Sequence, residues 1–283
     1  MDATMVPVVV LVAAALHAVW NALAHALPDK VVGFALINAA FLAGGVLLAC
    51  LAPLPDARAW PYLAASAVLQ VLYQLLLLQA YRLGDFGQMY PLARGTAPWL
   101  VAALSVLVLG RPLGTAQWAG VLVISVGLAG LAFADGVPGR GQLPAVAAAL
   151  GTGAMIAGYT VVDGTGVRTS NTVLGYIAWL FVLQGAGMLL TAVVLRGPSL
   201  FCQPGPGWVQ GVAGGVLSLT AYGLVVWAQA HGDLATIAAL RETSILIAAL
   251  IGALVFRERL GAARMAAGAV VVAGIAVLQL APL

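Results

Sequence analysis

The sequence predicts an all-α integral membrane protein whose ten transmembrane helices form two inverted five-helix repeats. Three observations predict it. Of 283 residues, 63% are hydrophobic and only 7% charged, and the mean hydropathy is +1.07. The apolar residues fall into ten segments long enough to cross a bilayer. The chain also matches itself when its second half is laid over its first, and each half holds an odd number of spans.

A soluble domain carries roughly 45–50% apolar and about 25% charged residues. Twelve Lys and Arg with nine Asp and Glu cannot cover a water-facing surface of this chain. The composition excludes a cytosolic enzyme, a secreted domain and a nucleic-acid binder, because a net charge of +3 makes no basic patch. Cys50, in an apolar run, and Cys202, in a Pro/Gly loop, form no CxxC and no disulfide framework.

A span needs about 20 largely apolar residues. The ten run from Met5 to Leu27, Val31 to Leu51, Trp60 to Arg82, Gly87 to Leu109, Gly114 to Phe133, Leu143 to Val162, Asn171 to Leu195, Trp208 to Ala230, Leu234 to Phe256 and Ala262 to Leu280. They must be helical, because lipid offers no partner to an unpaired backbone group. The first follows Asp2 rather than a basic stretch and is too long for a secretory signal, so it counts as a span. The third and eighth open on Trp60 and Trp208, the residue type that anchors helices at the interface. Short connectors hold most of the charge, Pro and Gly. Loops on the N-terminal side carry Arg58, Arg111 and Arg168, whereas the opposite side carries Lys30, Arg82, Arg140, Arg196, Arg257, Arg259 and Arg264. The excess of bases on cytoplasmic loops places both termini outside the cytoplasm.

The self-match runs through Trp60/Trp208, Ala80/Ala228, Gly84/Gly232 and Asp85/Asp233. After a one-residue gap it continues through Arg94/Arg241, Thr96/Thr243, Leu113/Leu260, Gly114/Gly261 and Gly127/Gly274. Shared hydrophobicity explains Leu or Val matches, but not matched charges inside spans. The domains are therefore two repeats, residues 1–133 and 143–283, and five spans per repeat force the second copy to insert upside down. Inverted repeats place a substrate site near the midplane, between the halves, which makes a transporter the leading reading.

Polar side chains inside spans are costly and usually face the bundle interior or a water-filled cavity; hydrogen bonding between helices is the structural alternative. In the first span His17, Trp20, Asn21 and His25 share one face, and in the third Gln70, Tyr73, Gln74 and Tyr81 do. In the eighth, Ser218, Tyr222 and Gln229 occupy the columns of Gln70, Gln74 and Tyr81. The fourth span places Tyr90 and Arg94 one turn apart, and Gly95 and Pro98 predict a kink or break there. Arg94 at this depth either meets a ligand or snorkels to the interface.

Arg241 and Glu242 sit in the ninth span. Glu242 is the one acid placed well inside a span, with Asp85, Asp163 and Asp233 read as helix-end residues. A lone buried carboxylate is a candidate for proton coupling, and an ion pair across to Arg94 is the alternative. Tyr159 lies one turn from Asp163, and Tyr176 one turn from Trp179; Tyr73, Tyr90, Tyr159 and Tyr222 are candidates for stacking on a substrate. Gly211 and Gly215, at GxxxG spacing, are read as close-packing positions. No HExxH, GxSxG, Walker A or metal-ligand cluster appears, so no cofactor, metal or catalytic residue is expected and the protein is read as no enzyme.

The five-plus-five duplication resembles the drug/metabolite transporter superfamily in its ten-helix EamA-like branch. So do Leu16-His17-Ala18-Val19-Trp20-Asn21-Ala22-Leu23 and the span ends Leu109-Gly110-Arg111-Pro112-Leu113-Gly114 and Phe256-Arg257-Glu258-Arg259-Leu260-Gly261. The Gly-Glu-type turn usual at those ends is kept only as Glu258, with Arg111 in the first half. The resemblance implies a basket of helices around a central cavity lined by spans 1, 3, 4, 6, 8 and 9. It also implies export of metabolites across the inner membrane, as by YddG-type aromatic amino-acid exporters. On that analogy Arg94 or Arg241 meets a substrate carboxylate, Gln, Asn and Ser meet the ammonium, and tyrosines meet the side chain. The partners are then a small-molecule substrate and the bilayer, and the two halves in one chain favour a monomer. Exporters of drugs, sugars or nucleotide precursors, a passive channel and a membrane-embedded enzyme are the competing readings. The last needs a clustered acid/base or metal set that the sequence lacks.

Overall fold

A computed structural model describes residues 5–26, 30–134, 136–197, 208–255 and 261–280. Cys202 and the segment 256–260, with Arg257, Glu258 and Arg259, lie outside the described residues, as does the side chain of His25.

Among the described residues every regular element is helical: α1 (Met5–Ala26), α2 (Lys30–Leu51), α3 (Trp60–Leu83), α4 (Phe86–Leu107), α5 (Thr115–Ala132), α6 (Leu143–Thr169), α7 (Val173–Arg196), α8 (Trp208–His231), α9 (Leu234–Arg241), α10 (Thr243–Val255) and α11 (Ala262–Leu280). Nine helical stretches among the described residues are long and apolar enough to cross a membrane. The tenth long helix, α4, is less apolar because it carries Gln88, Tyr90, Arg94 and Thr96 beside Pro91 and Pro98. Large apolar side chains stand exposed along the helices, among them Leu47, Val126, Leu190 and Val216, as a lipid-facing surface requires.

Two expectations about helix continuity are corrected. Of the kink or break expected at Gly95 and Pro98, the break is absent: α4 stays helical through both prolines. The hydroxyl of Thr96 donates to the Leu92 carbonyl at 2.8 Å in this stretch. The ninth span, expected to be unbroken, divides at Glu242 into α9 and α10. There the Glu242 N–H reaches back three residues to Ala239 at 3.1 Å, and the Ile245 N–H three residues to Glu242 at 3.0 Å, so the turn tightens. The sixth span is also longer than predicted. It continues to Thr169, which moves Asp163 from a helix end to a fully buried position inside α6.

Polar residues at the helix ends account for the boundaries. The repeat-matched Asp85 and Asp233 stand at the N-caps of α4 and α9; Asp233 accepts from the Thr236 N–H at 2.8 Å, and Asp85 makes no side-chain cap bond. Thr172 caps α7 by accepting from the Gly175 N–H at 3.1 Å. Gly197, at φ 79°, closes α7 in a conformation that a side chain would oppose.

The chain folds into two compact units that are interleaved along the sequence. One comprises Met1–Val71 with Val162–His231, the other Leu72–Val161 with Gly232–Leu283. In the first unit α2 packs on α7, and α8 packs on α1 and α2. Its core gathers Trp20, Phe41, Leu63, Tyr176, Phe181 and Val226. Gly211 and Gly215 of α8 do pack closely: a Cβ on Gly211 would lie 2.6 Å from Leu36, and one on Gly215 would lie 2.6 Å from Ala40.

The α2–α7 seam is reciprocal. A Cβ on Gly45 would meet the Ala178 carbonyl at 2.9 Å and the Val182 nitrogen at 2.7 Å; one on Gly185 would meet the Asn38 carbonyl at 2.8 Å and the Leu42 nitrogen at 2.6 Å. In the second unit α5 packs on α11 and α4 packs on α5 and α9. The α5–α11 seam is reciprocal as well: a Cβ on Gly127 would stand 3.1 Å from the Ala267 carbonyl, and one on Gly274 would stand 3.1 Å from the Gly120 carbonyl. In both units helices at matching places in the two repeats pack on one another through matching glycines.

Within each unit, connectors meet one another. In the first unit the α2–α3 and α6–α7 connectors join, with Asn171 donating to Asp56 at 3.1 Å and the Asp56 N–H to the Ser170 carbonyl at 3.0 Å. In the second, Asp85, Gln88, Gly136, Gln142 and Arg264 line a cavity of about 420 Å³, which brings the α3–α4 and α5–α6 connectors and the start of α11 together.

Candidate functional site

Each unit holds a group of polar side chains inside its spans. In the second unit these are Tyr73, Gln74 and Tyr81 from α3, Tyr90 and Arg94 from α4, Tyr159 from α6, and Arg241 and Glu242 from the α9–α10 junction. The geometry centres on Arg94, whose Nε donates to Glu242 Oε2 at 2.9 Å, with the two side chains only 4% and 2% exposed. Arg241, also buried, lies within electrostatic reach of the same carboxylate. Two guanidinium groups therefore share one acid. Arg94 Nη2 is buried and has no hydrogen-bond partner.

Tyrosines stand around this charge. Tyr73 and Tyr159 meet edge to face, with ring centroids 5.8 Å apart, and both lie within electrostatic reach of Arg94, as Tyr90 does. Tyr81 lies within reach of Tyr90, Tyr73 and Arg94. Gln74 is buried on α3. The repeat makes Gly95 the counterpart of Glu242, and packing explains why the acid appears once: a Cβ on Gly95 would stand 2.9 Å from Leu128 of α5. No longer side chain fits there without moving α5. Close packing also fixes α4 from the other side, since a Cβ on Gly153 of α6 would come within 2.6 Å of the Ala93 carbonyl.

In the first unit His17, Trp20 and Asn21 bond within α1. Trp20 Nε1 donates to His17 Nδ1 at 3.1 Å, and Asn21 Nδ2 to the His17 carbonyl at 2.7 Å. Gln70 of α3 donates to Ser66 Oγ at 3.2 Å and to the Tyr222 hydroxyl of α8 at 3.5 Å. Ser218 is buried on α8, and the amide of Gln229, fully buried one face along, has no hydrogen-bond partner on either atom. The Tyr222 hydroxyl in turn donates to Asp163 Oδ2 at 2.5 Å, and Tyr176 donates to Asp163 Oδ1 at 3.0 Å. Residue type and spacing do not single out Asp163 and Tyr176 as site residues. The available signal is an acid inside the last turns of an apolar span whose helix has no stop until Ser170 and Asn171.

Comparison with known proteins decides the family. The EamA-like transporter family model matches residues 4–133 and again 143–280. The chain belongs to the EamA-like transporter family. No curated protein matches the sequence. This EamA-like transporter shares its fold with a solved structure described only as a crystal structure of a protein, at TM-score 0.73 and 19% identity over 98% of this chain and 97% of the other. The protein is thus a multi-pass membrane transporter of the drug/metabolite transporter superfamily, and the apolar helices described above are its spans.

Proposed function

We propose that this EamA-like transporter is a monomeric secondary transporter of the inner membrane that exports amino acids, aromatic ones among them, by alternating access coupled to protons. Arg94 carries the proposal: a buried guanidinium with one nitrogen on Glu242 and a second, Nη2, without a hydrogen-bond partner. A buried unsatisfied donor on a charged group is unfavourable by about 1–3 kcal/mol or more, and a planar carboxylate is the ligand that a guanidinium fork fits best. Tyr73, Tyr90 and Tyr159, of the residue type against which an aromatic side chain would pack, stand within electrostatic reach of Arg94. Glu242 enters as the group that an arriving carboxylate displaces from Arg94, with Arg241 at hand to hold the displaced acid.

The test is flux of labelled amino acids in proteoliposomes, with and without a pH gradient. Saturable uptake with counterflow, strongest for an aromatic amino acid and reduced in Arg94→Gln, supports the reading. Absence of flux for every amino acid tested removes the substrate class, and flux without counterflow removes alternating access.

A further inference from the structure

We propose that Asp163 is a proton-carrying site of this transporter, served by a chain of reversible hydrogen bonds that runs from Tyr176 through Asp163, Tyr222 and Gln70 to Ser66. The inference rests on the proton-coupled transport proposed above and names a carboxylate other than Glu242 for the proton.

The two buried acids differ in what holds them. Glu242 is bound by Arg94, and a guanidinium has donors only, so its partner suits the ionised carboxylate and offers nothing to a carboxyl O–H. Asp163 is bound by two phenols from two other helices, one on each oxygen, at 3.0 Å and 2.5 Å. A hydroxyl donates and accepts equally well. Gln70, next in the chain, carries both a donor and an acceptor on its amide, and Ser66 beyond it again carries both.

The arm from Asp163 through Tyr222 to Gln70 can therefore run in either direction. With Asp163 ionised, Gln70 donates to Tyr222 and Tyr222 to Oδ2. When hydronium at Tyr222 gives its proton to the phenol oxygen, the phenol passes its own proton to Oδ2, so an O–H bond forms on Asp163, Tyr222 stays neutral and water is left. The new O–H then donates to the Tyr222 oxygen, and the Tyr222 hydroxyl turns to the amide oxygen of a flipped Gln70. Asp163, Tyr222 and the face of the Gln70 amide turned to Tyr222 each keep a hydrogen-bond partner in both states, which lowers the cost of changing the charge of a buried group.

Access fits this role. Asp163 and Gln70 are buried, and Tyr222 is the half-buried member through which a proton can arrive. Gly166, one turn along α6, makes room for the opposite arm, because a Cβ there would fall 2.5 Å from the Tyr176 hydroxyl. The other ionisable groups on the helices around Asp163 are Tyr62 of α3, within electrostatic reach of Tyr176, Arg168 further along α6, His231 at the end of α8 and His17 of α1, which accepts from Trp20. Because this arm ties α3, α6 and α8 together, reversing it changes the bonds between three helices at once, while Tyr176 of α7 keeps its bond to Oδ1.

The experiment is pH-difference infrared spectroscopy of the purified transporter in liposomes of phosphatidylethanolamine and phosphatidylglycerol, with no substrate added. A protonated-carboxyl C=O band is expected to grow as the pH falls, to vanish in Asp163→Asn and to persist in Glu242→Gln. Tyr222→Phe keeps the band but moves its frequency, because the carboxyl has lost a hydrogen-bond partner. A spectrum of Asp163→Asn identical to the native one, a band lost in Glu242→Gln instead, or no titrating carboxyl at all overturns the inference. If Asp163→Asn fails to fold, the frequency in Tyr222→Phe decides, and an unmoved band counts against it. Flux measurements separate the two proposals: an Asp163 band with no amino-acid transport leaves the proton site standing and removes the amino-acid reading.

Discussion

Arg94 and Glu242, separated by 148 residues in sequence, meet at 2.9 Å inside the second unit, and the arginine keeps one nitrogen unused. Removing one partner of a buried pair is destabilising by about 3–5 kcal/mol, because the other charge stays behind in a medium that cannot solvate it. Arg94→Met is therefore expected to lower thermal stability in detergent strongly. The double variant Arg94→Met with Glu242→Met is expected to recover most of that loss while still failing to bind. Unfolding midpoints of the three proteins check this.

Substrate affinity provides a second test. A hydrogen bond to a charged group contributes about 1.5–3 kcal/mol, so Arg94→Lys, which keeps the charge but loses the fork, is expected to raise KM for an amino acid by about tenfold or more. Maximal flux should fall less. An unchanged KM in that variant would place the carboxylate elsewhere.

The reciprocal seams make glycine substitutions unequal. Gly45→Ala and Gly127→Ala push a methyl into opposing backbone and should lower stability by about 1–3 kcal/mol. Gly141→Ala, where nothing lies within 4 Å of the added carbon, should be near neutral. Thermal unfolding of the three variants discriminates between close packing and a general cost of losing glycine.

Matched sequence does not mean matched energetics at the caps. Asp233→Ala removes a cap bond and should destabilise by about 1 kcal/mol, whereas Asp85→Ala removes none and should cost less. Hydrogen exchange at the first turns of α9 and α4 reports each cap separately.

The connector between α2 and α3 should respond to acid. The Arg58 side chain and its N–H both bond Asp56, holding that carboxyl below its ordinary value of 3.8. A carboxyl with a lowered value contributes its contacts fully above the ordinary range and loses them as pH falls through the lowered one. The tie from Asp56 to Asn171 should accordingly persist from neutral pH down past pH 3.8 and loosen only below it. Exchange of the Arg58 amide measured along an acid titration checks the sign.

The spans are legible because the bilayer imposes one length and one polarity on every crossing, and the matched Gly-Asp pairs mark the same boundary twice. Interruptions inside spans are not. Gly95 and Pro98 predict a kink or break by their chemistry, yet α4 runs through both without a break, packed closely on Leu128 of α5. The break at Glu242 has no proline or glycine to announce it. An ion pair between Arg94 and Glu242 is one of two readings the sequence leaves open, since residue type gives charge but not partner. Hydropathy falls after Val162 and so ends the sixth span there, which misplaces Asp163, because the helix continues for another turn and more. The interleaving of the two units along the chain leaves no trace in composition, because it depends on which apolar faces meet.

The glycine seams carry a consequence for how such a molecule can be divided. Each presents the same surface from both sides, so a half-length chain would be its own complement, and two copies inserted in opposite directions would rebuild either seam. Such a pair would have to be identical throughout. Here Gly95 and Glu242 hold equivalent positions, the one closed by α5 and the other carrying the acid that meets Arg94. Two identical copies would carry the acid at both positions or at neither, whereas one chain that holds both halves carries it at one.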